Sequence, residues 1–141
     1  MFRMTNLVFK MMVSAMICGT MMVSCGGGSS SGGKNTPSGA FDDMYKAYLK
    51  RDWNTYASYF NVQSEEERAQ WLAFAKGMTE ADKNPAAKYE ILSERLSDDG
   101  TKAEISVKIV HTDGKESTDK NCFVKTDSGW KSVMFSMGAC F

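Results

Sequence analysis

Gly100-Thr101-Lys102-Ala103-Glu104-Ile105-Ser106-Val107-Lys108-Ile109 decides the fold. Ala103, Ile105, Val107 and Ile109 alternate with charged or polar residues. Strand side chains point to opposite faces in turn, so this period marks a half-buried antiparallel strand. Before it, Tyr89–Leu96 reads as a strand closed by the turn Asp98-Asp99-Gly100. After it, Asp113-Gly114 is a hairpin signal, because a tight turn needs a residue that tolerates positive φ. Glu116–Lys125 makes the next strand, and Asp127-Ser128-Gly129 turns into a last strand over Gly129–Met137.

Upstream the period changes to that of helices. Phe41, Met44, Tyr45, Tyr48 and Leu49 recur at steps of three and four, so residues 38–60 are predicted helical. Asp52 caps a second short helix carrying Trp53, Tyr56, Ala57 and Phe60. Ser64 with Glu67 forms a capping box for a third, with Trp71, Leu72, Ala75 and Met78 on one face. Helices first and strands later predict an α+β domain, a helical layer on an antiparallel sheet.

The N-terminus is of another kind. Arg3 and Lys10 are followed by an apolar stretch from Met11 to Val23, broken by Ser14, Gly19 and Thr20. A spanning helix needs about 20 apolar residues, so this run has signal-peptide length instead. It ends in Met22-Val23-Ser24-Cys25, followed by Gly26-Gly27-Gly28-Ser29-Ser30-Ser31-Gly32-Gly33. This resembles the lipobox of bacterial lipoproteins. The resemblance implies cleavage between Ser24 and Cys25 and lipidation of Cys25. Two or more acyl chains hold a protein stably at a membrane, each buried CH₂ contributing about 0.8 kcal/mol. The expected organisation is a signal peptide over 1–24, a lipidated cysteine and Gly/Ser tether over 25–37, a domain over 38–137 and an extension over 138–141. With Gly26 after the cysteine and no acid before Asp42, the expected location is the cell envelope, in the outer membrane facing the periplasm.

Without the leader, 117 residues remain, enough for one small core. The leader takes Arg3 and Lys10, so 15 bases face 17 acids. A near-neutral chain without a basic block argues against nucleic acid. Seven of the 11 methionines lie in the leader, which leaves no methionine-rich metal site. Cys122 and Cys140 form a candidate disulfide, which an oxidising periplasm permits. A hairpin at 127–129 places Cys122 opposite about Val133. Cys140 then lies roughly 20 Å further along at ~3.4 Å per residue, beyond the ~7 Å that a disulfide tolerates. Only a reversal at Gly138 brings the two together. The alternative is two separate thiols.

The junction Tyr48-Leu49-Lys50-Arg51-Asp52-Trp53, then Tyr59-Phe60, Asp113-Gly114-Lys115-Glu116 and Ser128-Gly129-Trp130-Lys131, occur in that order. Together with the meander they resemble the nuclear transport factor 2-like superfamily. Within it they resemble small bacterial lipoprotein domains of unknown function. The resemblance covers about residues 38–135. It implies helices closing one side of a curved sheet into a cone with a pocket at its mouth, and pairing through the sheet in some members.

No catalytic set assembles from the residues. Tyr45 and Tyr48 could supply hydroxyls, but Glu104 occupies the outward phase of its strand and no carboxylate base is evident. His111 is the single histidine, beside a turn where solvation is expected, so no metal or cofactor site is predicted. Trp53, Trp71 and Trp130 with five tyrosines are mostly core, with one or two available at the cone mouth for an apolar or sugar-like ligand.

The expectation is a membrane-anchored envelope lipoprotein that binds a small ligand or a protein partner without catalysis. The alternatives are a cone-pocket enzyme of isomerase or dehydratase type and an assembly protein acting as a sheet-mediated homodimer. Cys25→Ala should lose globomycin-sensitive processing and move from the membrane to the soluble fraction on cell fractionation. Normal attachment of that variant refutes the anchor.

Overall fold

Thr36-Pro37 starts the first helix. The Thr36 hydroxyl accepts from the Gly39 N–H at 3.1 Å, and Pro37 occupies the first helical position, where its missing N–H costs nothing. The structure, a computed structural model, describes residues 33–133 and 139–141. The leader, Ser24, Cys25 and the greater part of the tether lie outside the described residues, as does 134–138. Helix α1 spans Pro37–Lys50, α2 Trp53–Ala57 and α3 Glu65–Ala81. The strands are β1 Ala86–Leu96, β2 Lys102–His111, β3 Glu116–Thr126 and β4 Gly129–Val133. They form one antiparallel sheet in the order β1-β2-β3-β4. Helices followed by an antiparallel sheet give the α+β fold expected.

Both predicted caps form. Asp52 accepts from the Thr55 N–H at 3.2 Å and Ser64 from the Glu67 N–H at 3.1 Å, while the Glu67 carboxylate reaches back to the Gln63 N–H at 2.7 Å. Between α1 and α2, Arg51 takes the left-handed conformation (φ 60°) and its N–H closes the last turn of α1. Strand β1 begins three residues before the expected Tyr89, at Ala86, because its N-terminal end still pairs with the end of β2 at His111.

The core sits between α1 and one sheet face. Register places Ala103, Ile105, Val107 and Ile109 of β2 on that face with Tyr89, Ile91 and Phe123. Phe41 meets Tyr89 and Phe123 edge-on at 5.7 and 6.4 Å between ring centroids and stacks on Tyr45 at 5.3 Å. Polar ties then fix α1 to the sheet. The Tyr89 hydroxyl donates to the Asp42 carboxylate at 2.5 Å, and Lys46 pairs with the same carboxylate. Glu94 of β1 accepts from the Ser38 N–H at 2.9 Å and from its hydroxyl, placing a negative charge at the positive end of α1.

Residues 59–61 lie alongside β4 as a short parallel bridge, with Ser132 N–H donating to Tyr59 O and Asn61 N–H to Ser132 O. Gly129 (φ 104°) brings β4 against the chain before α1. A Cβ there would stand 2.7 Å from the Lys34 carbonyl oxygen. Residues 33–36, assigned to the tether from their composition, are therefore packed on the domain.

The opposite sheet face is charged. Glu104 pairs with Arg95 at 3.4 Å and Lys120 at 3.1 Å, and Lys108 pairs with Glu90 at 3.0 Å and Glu116 at 3.8 Å. Cys122 pairs in register with Val133 and is joined to Cys140 as a disulfide, with 5.4 Å between Cα atoms. The reversal expected at Gly138 lies outside the described residues. The Arg95 guanidinium covers the Phe141 ring at 4.6 Å. Glu104 is thus only 6 % exposed although it points away from the core.

Tyr89→Phe should lower stability by about 1–3 kcal/mol in thermal or denaturant unfolding, because it strands a buried carboxylate oxygen. The hydrogen bond from Lys120 holds the Glu104 carboxyl below its ordinary pKa, and the charges of Lys120 and Arg95 add to this. The folded chain therefore releases this proton more readily than the unfolded chain. The resulting stability is fully present above the ordinary carboxylate range and is lost as pH falls through the folded value. Glu104→Gln should flatten this part of the acid limb of a Tm-against-pH curve, and an unchanged limb would show that the ion pairs contribute nothing.

Candidate functional site

Helix α3 does not close onto the sheet as α1 does. Thr79 is the single buried residue of its described length, whereas Phe74 is 48 % and Met78 59 % exposed. The space this leaves is a cleft of about 750 Å³ between α1, α3 and the sheet. Ligand pockets commonly measure ~300–1,000 Å³. One wall is aromatic: Tyr45 lies 5.4 Å from Tyr48, and Tyr48 lies 5.6 Å from Tyr56, between ring centroids. Met44, Phe74, Met78 and Ile109 extend the apolar lining. His111, Asp119 and Asn121 supply polar groups from the sheet, and Thr79 and Asp82 from the end of α3.

The sequence places each wall by its period. Tyr45 and Tyr48 lie one and two turns beyond Phe41, where α1 reaches the edge of the core and then runs past it. Register aligns Asp119 with Val107 and Asn121 with Ile105, on the face that carries Phe123. Arg51 covers the back of the aromatic wall, its guanidinium 5.4 Å from the Tyr48 ring and 5.8 Å from Trp53.

Electrostatics keep the phenols neutral. Burial raises the Tyr45 pKa well above its ordinary value, and Tyr48 and Asp119 raise it further. Burial and then Tyr48 push Tyr56 up to about 12. The Tyr45 and Tyr56 hydroxyls have no hydrogen-bond partner among the described residues, which leaves them as donors for a guest. Tyr89 is raised too, first by burial and then by its bond to Asp42, but that pair is committed to holding α1 on β1.

His111 is not the solvated side chain expected from its place beside a turn. Its Nδ1 lies 2.9 Å from the Asn84 carbonyl and its Nε2 lies 3.1 Å from the Ser117 hydroxyl. The carbonyl can only accept, so Nδ1 carries the proton and, in the neutral ring, Nε2 accepts from Ser117. Asn84 and Ser117 thereby fix the ring at the cleft's sheet end. Trp130 is core as expected, while Trp53 and Trp71 are half-buried. Among the described residues no group of three or more His, Cys, Asp and Glu side chains could hold a metal ion. The two buried acids among the described residues, Asp42 and Glu104, do not line the cleft, so no shielded carboxylate base faces the tyrosine hydroxyls.

Asp119, Asn121, Phe74 and Thr79 were not singled out from the sequence. Their signal was there for β3: Ser117, Asp119 and Asn121 share the phase of buried Phe123, and polar residues in an inward phase mark a place where the sheet faces something other than core.

Comparison with known proteins agrees with this architecture. A protein from Campylobacter jejuni described as an NTF2-like transpeptidase superposes with a TM-score of 0.51 at 14% identity, covering 71% of this chain and 100% of that one. A protein from Thiobacillus denitrificans described as a calcium/calmodulin-dependent protein kinase type II association domain gives 0.53 at 17%, covering 70% and 91%. A SEC-C motif containing protein from Rhodopseudomonas palustris gives 0.53 at 14%, covering 71% and 77%. At such identities the likeness concerns the fold alone, which is nuclear transport factor 2-like. No curated protein matches the chain. The family described as Domain of unknown function (DUF4878) matches residues 23–133, and the chain belongs to it.

Proposed function

We propose that this protein is an envelope lipoprotein, anchored through Cys25, whose cleft binds a small amphipathic ligand. The observation that carries the binding reading is the pairing of an apolar wall with unpartnered phenols. Tyr45 and Tyr56 offer ring faces and neutral, unpartnered hydroxyls, Tyr48 adds its ring between them, and Asp119, Asn121 and His111 stand on the sheet side. A guest with an apolar body and a polar head satisfies both. The anchor rests on the lipobox resemblance and the Gly/Ser tether.

An isomerase or dehydratase in this cleft would need a carboxylate shielded from water to take a proton. Asp119, the sheet acid of the cleft, is exposed, and Asp42 is bonded to Tyr89 and Lys46. Assembly through the sheet favours an apolar outer face. Here that face carries the Glu104 and Lys108 ion-pair networks, which favours binding in the cleft over pairing of sheets.

The test is native mass spectrometry of the full chain purified from the envelope fraction. A bound small molecule that leaves on heating is expected. Met78→Asp puts a charge at the apolar mouth without disturbing the core, since Met78 is 59 % exposed, and should cut occupancy by about tenfold. A clean apo mass, or full occupancy in the variant, overturns the cleft as the binding site.

A further inference from the structure

Among the described residues, the charged side chains that line the cleft are Asp82, Asp119 and Lys120. The Lys120 ammonium is already paired with Glu104 of the outer sheet face at 3.1 Å. Asp82, at the end of α3, accepts from the Asn84 N–H at 2.8 Å. Asp119 has no hydrogen bond or ion pair among the described residues. The other cations near the aromatic wall, Arg51 over Tyr48 and Trp53 and Lys76 over Trp53, do not line the cleft. His111 lines it, but both of its ring nitrogens are engaged. The charge left open to a guest is therefore negative.

Register puts this open carboxylate on the tyrosine side of the sheet. Ser117 pairs with Ile109 and Ile109 with Tyr89, and the Tyr45 ring lies 4.6 Å from the Tyr89 ring. Asp119 stands two residues along β3 from Ser117, on the same face and roughly 7 Å further along at ~3.4 Å per residue. It pairs there with Val107 of the core. Opposite, the Tyr45, Tyr48 and Tyr56 rings follow one another with their planes tilted by 45° and 49°. An aromatic ring is negative on its faces and attracts a cation. The unpartnered phenol oxygens of Tyr45 and Tyr56 can accept as well as donate. Rings, phenol oxygens and carboxylate thus select the same charge, and an anionic head would meet all three with the wrong sign.

We propose that the guest of the cleft is an amphipathic amine, whose ammonium head sits between the tyrosine wall and Asp119. This rests on the reading of the cleft as a binding site and names the chemical class that the site takes. The apolar body lies toward Phe74 and Met78, whose side chains line the cleft and are 48 % and 59 % exposed while it is empty. Asp119 is itself exposed, so its attraction is screened and the rings supply the rest. The head keeps water on its open side, which spares it the cost of full desolvation.

The experiment titrates the full chain, held in an uncharged amphipathic polymer, with phenethylammonium, 2-phenylethanol and 3-phenylpropanoate. These probes share one apolar body and carry a cationic, a neutral and an anionic head. Binding is read from NMR shifts of the cleft residues. Phenethylammonium should bind about threefold to tenfold more tightly than 2-phenylethanol, and 3-phenylpropanoate should bind most weakly. Asp119→Asn should narrow the preference for the cation by about threefold, and Asp119→Lys should turn it toward 3-phenylpropanoate, with 2-phenylethanol unchanged in both. A Tm within the wild-type range shows that each variant is folded. Equal binding of the three probes, preference for the anion, or a preference that the folded Asp119→Lys variant leaves unchanged overturns the amine while the cleft stands as a binding site. Absence of binding by all three, the neutral probe included, overturns the cleft reading and the amine with it.

Discussion

The ring of Phe41 is the contact on which the remaining structure depends. It is fully buried and touches α1, β1 and β3 at once through Tyr45, Tyr89 and Phe123. Truncating such a ring typically costs about 3–5 kcal/mol, a large share of a small domain's stability. Because Phe41 seats the first half of α1 on the sheet, the second half is carried beyond it at a fixed angle. Tyr45, still against Phe41 and Tyr89, forms the boundary and Tyr48 lies past it, so the cleft follows from where the packing stops. The buried Asp42–Tyr89 pair reinforces this seat with hydrogen bonds that tolerate little sliding.

The structure separates three jobs by location. The inner sheet face near Phe123 is filled by α1. Its continuation past Asn121 and Asp119 is left to the cleft. The outer face is covered with alternating charges, and among them Glu104 is shielded from solvent between Arg95 and Lys120. A carboxylate can be buried there because two cations reach it. Phe141, under Arg95, lies on the β1 side of the same row that the Cys122–Cys140 disulfide occupies. A disulfide that closes a loop of roughly this size contributes about 3 kcal/mol.

Much of the fold was legible because local and long-range signals coincide. Alternation in Ala103–Ile109, Asp113-Gly114, the Asp52 cap and the Ser64–Glu67 box each act within a few residues, and each is found where the chemistry puts it. Membership of the nuclear transport factor 2-like fold was readable from the order of short motifs. The packing of α3 was not. Its apolar residues predict a buried stripe, but a periodic pattern cannot say whether the partner surface is core or a cleft, and Phe74 and Met78 face the latter. His111 was misjudged because its partners, Asn84 and Ser117, come from 27 and six residues away.

Strand β4 is short, yet it carries Trp130 and Ser132 into the core and binds residues 59–61 along its outer side. These residues follow α1–α3 and β1–β3 in sequence. A polypeptide emerging N-terminus first therefore exposes α1 and α2 long before the surface they pack on exists. The domain cannot close until its final strand has been released. Until β4 has emerged the apolar faces of α1 and the sheet stay uncovered, so the opportunity for misassociation lasts as long as synthesis of the domain itself.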